Sequence, residues 1–92
     1  MSVFERREHI SKPVIDVYGA YWCPDTLRSL RLLDSMGIPY NWHDVDEDAA
    51  ARAWVENKNN GQCRIPTIMF AEDAMLVEPS DAELEKKLAE IN

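Results

Sequence analysis

Between Pro13 and Val45 the sequence spells a strand, a helix and a second strand, and no other feature constrains the fold as tightly. Pro13-Val14-Ile15-Asp16-Val17-Tyr18 is β-branched and aromatic, ends at Gly19 and reads as a central strand. Pro24 opens a helix, because its missing N–H falls where a helix leaves one unpaired anyway. Leu27, Leu30 and Leu33 recur on one side, with Arg28, Arg31 and Asp34 opposite. Gly37 fits just past the helix end, and Pro39 stops any continuation. Tyr40 to Val45 is the second strand. Two strands joined through a helix run parallel, with a right-handed crossover.

Asp46, Glu47 and Asp48 place negative charge at the start of a second helix, where the helix dipole favours it. That helix runs from Ala49 to Asn57, with Ala51, Trp54 and Val55 as its buried side. Asn59-Asn60-Gly61 turns the chain. Ile65 to Phe70 is a third strand, and Pro66 is tolerable only at its start. Residues 71–74 turn into a short fourth strand, Met75 to Glu78, antiparallel to the third. Ser80 and Glu83 form a capping box ahead of a last helix carrying Leu84, Leu88 and Ile91. The order β-α-β-α-β-β-α predicts an α/β domain: a four-stranded mixed sheet flanked by three helices. It spans residues 1–92 as one domain, with the polar residues 1–12 loosely held.

The 92 residues carry a formal net charge of −7, which argues against a nucleic-acid partner or an anionic membrane. No apolar stretch approaches the roughly 20 residues of a bilayer span. MSVFERREHISK has no apolar core of a secretory signal, so a cytoplasmic location is expected. Two cysteines, Cys23 and Cys63, make no disulfide framework and read as free, reactive or transiently oxidised thiols.

Cys23 lies between the first strand and the first helix, where N-terminal N–H groups and the helix dipole favour a thiolate. A thiolate attacks disulfides; a thiol does not. The bland alternative is a buried structural cysteine. Ile65-Pro66-Thr67 at a strand mouth suggests a cis peptide bond, although an ordinary trans proline in a loop is the commoner arrangement for such a segment taken alone. In that geometry Ile65 lends its backbone N–H and C=O to an extended peptide, as an added strand would. Cys23, Cys63, His9 and His43 show no zinc-ligand spacing, so a zinc site is excluded.

The ordered set YGAYWCPDT, GIPYNWHDVDED, NNGQCRIPTIMF and EPSDAELEKKL resembles the glutaredoxin family, in particular its small bacterial glutaredoxin-like and mycoredoxin-like members. The resemblance covers about residues 13–91 and implies a thioredoxin-like fold. It implies reduction of mixed disulfides between proteins and a low-molecular-weight thiol such as glutathione, with no bound cofactor. By position, Cys23 is the nucleophile, Tyr21 and Trp22 flank the groove, and Ile65 and Pro66 clamp the thiol's cysteinyl part. Ser80 and Asp81 match the segment that holds its γ-glutamyl end; each is equally explained as helix capping and dipole complementation.

Two departures from the family pattern stand out. Many relatives carry a second cysteine where this chain has Thr26, which leaves a monothiol cycle. Thr26 is a candidate hydrogen-bond donor to the thiolate, or a plain helix residue. Relatives often have Arg before Thr-Val-Pro where this chain has Cys63-Arg64-Ile65-Pro66. Arg64 is thus a candidate partner for a substrate carboxylate, and Cys63 a candidate resolving thiol or a small loop residue. Two rival functions remain. One is a [2Fe–2S] carrier built as a thiol-bridged homodimer, which the absence of Gly-Phe-Ser after Cys23 disfavours. The other is a redox-silent binding module. The favoured reading is a monomer that meets a small thiol and protein mixed disulfides.

Overall fold

The structure is a computed structural model that describes residues 15–71 and 74–90. Pro13, Val14, residues 1–12, part of the turn before the last strand and Ile91 lie outside the described residues. Seven elements follow in chain order: β1 (Asp16–Gly19), α1 (Pro24–Ser35), β2 (Asn41–Asp44), α2 (Ala49–Lys58), β3 (Thr67–Met69), β4 (Met75–Val77) and α3 (Asp81–Glu90). The sheet order is β2-β1-β3-β4. β1 and β2 are parallel, and the β1–β3 and β3–β4 pairs are antiparallel. The β-α-β-α-β-β-α order and the mixed four-stranded sheet are as expected.

Local chemistry sets the element ends. α1 stops in a Schellman turn: Ile38 N–H donates to Leu33 O at 3.0 Å and Gly37 N–H to Asp34 O at 3.1 Å. Gly37 occupies φ 67°, which a side chain would strain. α2 is capped by Asp48, whose carboxylate accepts from Ala50 N at 3.0 Å and Ala51 N at 3.2 Å. α3 has the expected capping box: Ser80 N donates to Glu83 Oε1 at 2.8 Å, and Glu83 N to Ser80 Oγ at 3.1 Å. Pro66 precedes β3 rather than standing inside it, so no ladder bond is lost.

The register sorts side chains onto two faces. Trp42, Val17, Ile68 and Leu76 lie in one row across the four strands. This row packs with Leu30 and Leu33 of α1 and Leu84 and Leu88 of α3 into the main core. Each fully buried side chain of this kind contributes about 1.5–3 kcal/mol. The opposite face carries Ala20, Val45 and Val55, with Tyr18, Trp54, Cys63 and Ile65 against them. Two helices thus cover one face and α2 the other. The buried side of α1 differs from the leucine-only stripe: Thr26, Ser29, Leu30 and Leu33 are buried, and Leu27 is only half-buried.

On the α2 face, Tyr18 is sandwiched between His43, at 4.3 Å between centroids, and Trp54, at 4.2 Å. His43 Nε2 also lies 2.9 Å from Asp16 Oδ1. Burial, and then the charges of Asp16 and Asp48, raise the Tyr18 phenol above its ordinary value of 10.0. Burial and Asp34 do the same to Tyr40. A folded-state pKa raised this way gives stability that is complete below pH 10 and is lost as pH climbs through the folded value. Urea midpoints measured from pH 9 to 11.5 are therefore expected to fall above pH 10. Tyr18→Phe, which keeps the ring stack, should flatten that decline; an unchanged slope would contradict the assignment to Tyr18.

Candidate active site

The end of β1 feeds a tight turn in which Cys23 N–H donates to Ala20 O at 3.1 Å. Cys23 is the N-cap of α1, with extended backbone (φ −91°, ψ 116°), and Pro24 takes the first helical position. Its side chain makes no capping bond, which leaves the sulfur unengaged by the helix it begins. Sγ lies 3.9 Å from Ile65 O, so the cysteine and the proline-led segment meet as expected. The residue is 9% exposed: largely covered, at the mouth of the sheet rather than in either core cluster.

The Ile65–Pro66 peptide is cis. Among the described residues, Ile65 N–H has no hydrogen-bond partner, and its carbonyl meets only Cys23 Sγ. A backbone donor without a partner, and an acceptor met only by the thiol, thus stand beside the sulfur. Pro66 O is occupied, accepting from Glu78 N at 2.8 Å, which extends the β3–β4 pairing by one step. Glu78 takes φ 50°, uncommon for a residue with a side chain, and its carboxylate pairs with Arg64 Nε at 3.0 Å. Thr67 Oγ1 donates to Arg64 O at 2.6 Å and fixes the same loop.

The remaining expected residues are distributed around this centre. Tyr21 and Trp22 are 61% and 69% exposed. Tyr21 packs on Trp42 at 4.8 Å, and Trp22 Nε1 donates to Asp46 Oδ2 at 2.6 Å. Asp81, in the first turn of α3, lies 3.8 Å from Arg28 Nε, while Arg28 Nη1 lies 3.2 Å from Asp25 and Nη2 donates to Pro79 O at 3.5 Å. Ser80 spends its hydroxyl on the capping box. Cys63 is half-buried beside Ala20 and Ile65 in the smaller cluster; both cysteines are free thiols. The described residues contain no group of three or more His, Cys, Asp or Glu placed to hold a metal ion. A groove of about 250 Å³ lined by Leu76, Glu83, Lys86, Lys87 and Glu90 contains none of the site residues.

Thr26 departs from the thiolate-donor role. It is fully buried, and its Oγ1 has no hydrogen-bond partner. Its side chain packs against Gly19 instead. A buried hydroxyl without a partner costs about 1–3 kcal/mol. Thr26→Val is therefore expected to raise stability by about 1 kcal/mol, seen as a higher urea midpoint with unchanged m-value. A loss of stability would show that the hydroxyl is satisfied. Arg64 places its guanidinium against Glu78 of its own chain, with the side chain half exposed. Asp46 and Glu78 were invisible as site residues in the sequence: one lay in an acidic run read as a helix start, the other ended a strand.

A mixed sheet of this order, with a cysteine at the N-cap position of the first helix opposite a cis proline, defines a thioredoxin-like fold with a thiol centre. The glutaredoxin family model matches residues 15–74. Mycoredoxin 1 of Corynebacterium glutamicum is 32% identical over 74 residues, covering 80% of this chain and 91% of that protein. The thioredoxin-like protein BC3987 superposes with a TM-score of 0.68 at 24% identity, over 78% of this chain and 96% of that one. The glutaredoxin of Archaeoglobus fulgidus gives 0.69 at 16% identity, over 88% and 91%. The chain belongs to the glutaredoxin family. No helix among the described residues is long and apolar enough to cross a membrane.

Proposed function

We propose that this protein is a monothiol oxidoreductase that reduces mixed disulfides between a protein cysteine and glutathione or a similar low-molecular-weight thiol. The observation that supports this most is the open backbone of Ile65 beside the Cys23 sulfur, with Thr26 where a second thiol would stand. The cysteinyl part of the small thiol would pair with Ile65 as a short added strand. The Cys23 thiolate attacks the small thiol's sulfur; a new S–S bond forms to Cys23, the old one breaks, and the protein substrate leaves as a thiolate. A second small thiol, as thiolate, then attacks the Cys23 adduct. It releases the symmetrical disulfide and returns Cys23 as a thiolate. Each step exchanges one S–S bond for another, and no second protein cysteine is needed. The reading places the protein in the cytoplasm as a monomer.

Incubation with oxidised glutathione followed by peptide mass mapping tests this directly. The expected product is a single glutathione adduct on Cys23, both in the wild type and in Cys63→Ser. A Cys23–Cys63 disulfide in place of the adduct would replace the monothiol cycle with one that uses Cys63 as resolving thiol. No adduct on Cys23 at all would remove the oxidoreductase reading.

A further inference from the structure

The site has two flanks, and only one of them is used by the small thiol. β3 lies on one side of β1 and β2 on the other, so the turn carrying Cys23 stands between the Ile65 segment and the β2 end of the sheet. On the β2 side two large aromatic side chains remain in solvent, Tyr21 at 61% and Trp22 at 69% exposure. Neither is loose. Tyr21 leans on Trp42, and the Trp22 indole N–H is tied to Asp46. The polar handle of Trp22 is thereby spent within the chain, and both rings, the part of Tyr21 against Trp42 aside, remain largely exposed. A carboxylate on the N–H edge also makes the indole face more attractive to a cation.

The charge around this ledge has one sign. Asp44, Asp46, Glu47 and Asp48 fall within five residues, and none takes part in an ion pair among the described residues. Asp44 and Asp48 are turned to backbone N–H groups, which leaves Asp46 and Glu47 facing outward. The two arginines nearest the site are already held, Arg28 by Asp25 and Asp81, and Arg64 by Glu78. A partner with acidic groups would meet uncompensated negative charge here. One with lysine or arginine would lay its cation on the Trp22 face and against Asp46 and Glu47.

We infer that the Tyr21–Trp22 ledge with its acidic rim docks the protein half of the mixed disulfide, and that it selects substrates carrying lysine or arginine beside the modified cysteine. This rests on the monothiol reading of Cys23 and adds the class of protein substrate to it. The small thiol occupies the Ile65 side, and the basic segment occupies the β2 side.

The test uses the full chain and three glutathionylated peptides that differ only in flanking residues: lysine, glutamine or glutamate. Initial rates of glutathione removal at low salt are expected to favour the lysine peptide over the glutamate peptide by about tenfold. The preference should shrink toward about twofold at 0.5 M salt, because exposed charges are screened. In the Asp46→Asn/Glu47→Gln double variant the lysine-to-glutamate ratio should fall toward one. Equal rates on all three peptides, or a lysine preference that survives in the double variant, would overturn the docking assignment while leaving Cys23 chemistry standing. Failure of every peptide, with no adduct on Cys23, would overturn both.

Discussion

Replacing Cys23 with serine should abolish thiol exchange while leaving the fold at least as stable as before. The two outcomes have separate causes. Exchange needs a sulfur anion to attack a sulfur, and a serine hydroxyl at neutral pH offers neither the charge nor the nucleophilicity. The rate on a glutathionylated peptide is expected to drop by about a thousandfold or more. The fold has the opposite interest in that position. Cys23 is the N-cap of α1 and makes no side-chain capping bond. Serine is among the preferred N-cap residues, and its oxygen reaches the second or third N–H of a helix. A gain of up to about 1 kcal/mol in unfolding free energy is therefore expected. The pair of measurements is a turnover assay and a urea titration on the same preparation. Substantial residual turnover in Cys23→Ser would show that another group, with Cys63 the first suspect, does the chemistry. A large loss of stability would instead mark Cys23 as a packing residue that the site only borders.

That a capping position is left without a cap is itself informative. The neighbouring helices are both capped by side chains, α2 by Asp48 and α3 by Ser80 with Glu83. At α1 the stabilising residue is absent and a thiol stands in its place. Local stability has been given up at the helix start, where the first N–H groups lack a capping oxygen, a pattern expected at functional sites.

The architecture was readable because each element carries its own local signals. β-branched runs, the Gly37 stop, the Asp48 start and the Ser80–Glu83 box all act within a few residues, and the structure shows each of them, with shorter strands: β3 runs Thr67–Met69 where the sequence suggests Ile65 to Phe70. The site was readable only in its skeleton. Cys23 and the Ile65–Pro66 pair stand out by chemistry and meet at 3.9 Å. The partners of the flanking residues did not stand out, because Trp22 meets Asp46 across 24 residues and Arg64 meets Glu78 across 14. Such pairs are set by how the elements pack, and no periodicity announces them. His43, which the sequence places within the second strand and nothing more, proves to be one layer of a ring stack for the same reason. The first helix shows the limit most clearly. Its leucines suggested the buried side, but the helix enters the fold on Thr26 and Ser29, because its first turn must pass close to the end of β1.

That close approach makes Gly19 the position where one methyl group should do the most harm. A Cβ there would lie 2.5 Å from Thr26 Cγ2, 2.7 Å from Thr26 Oγ1 and 3.2 Å from Thr26 Cβ. Alanine is otherwise preferable to glycine within a strand by about 0.5–1 kcal/mol, from the smaller loss of backbone freedom. The clash outweighs this. Thr26 is fully buried and β-branched, so it has few rotamers to retreat into, and the contact with its own Cβ cannot be relieved by any rotamer. Relief requires α1 to move away from β1, at a net cost of about 1–3 kcal/mol. The first residue displaced by such a movement is Cys23, so turnover should fall along with stability. Truncating the obstacle should restore both. In Gly19→Ala/Thr26→Ala only the 3.2 Å contact remains, and the pair should show a favourable coupling of about 1–2 kcal/mol in a double-mutant cycle. Additive effects of the two substitutions, or a Gly19→Ala variant as stable and active as the wild type, would mean that α1 does not rest on β1 through this contact.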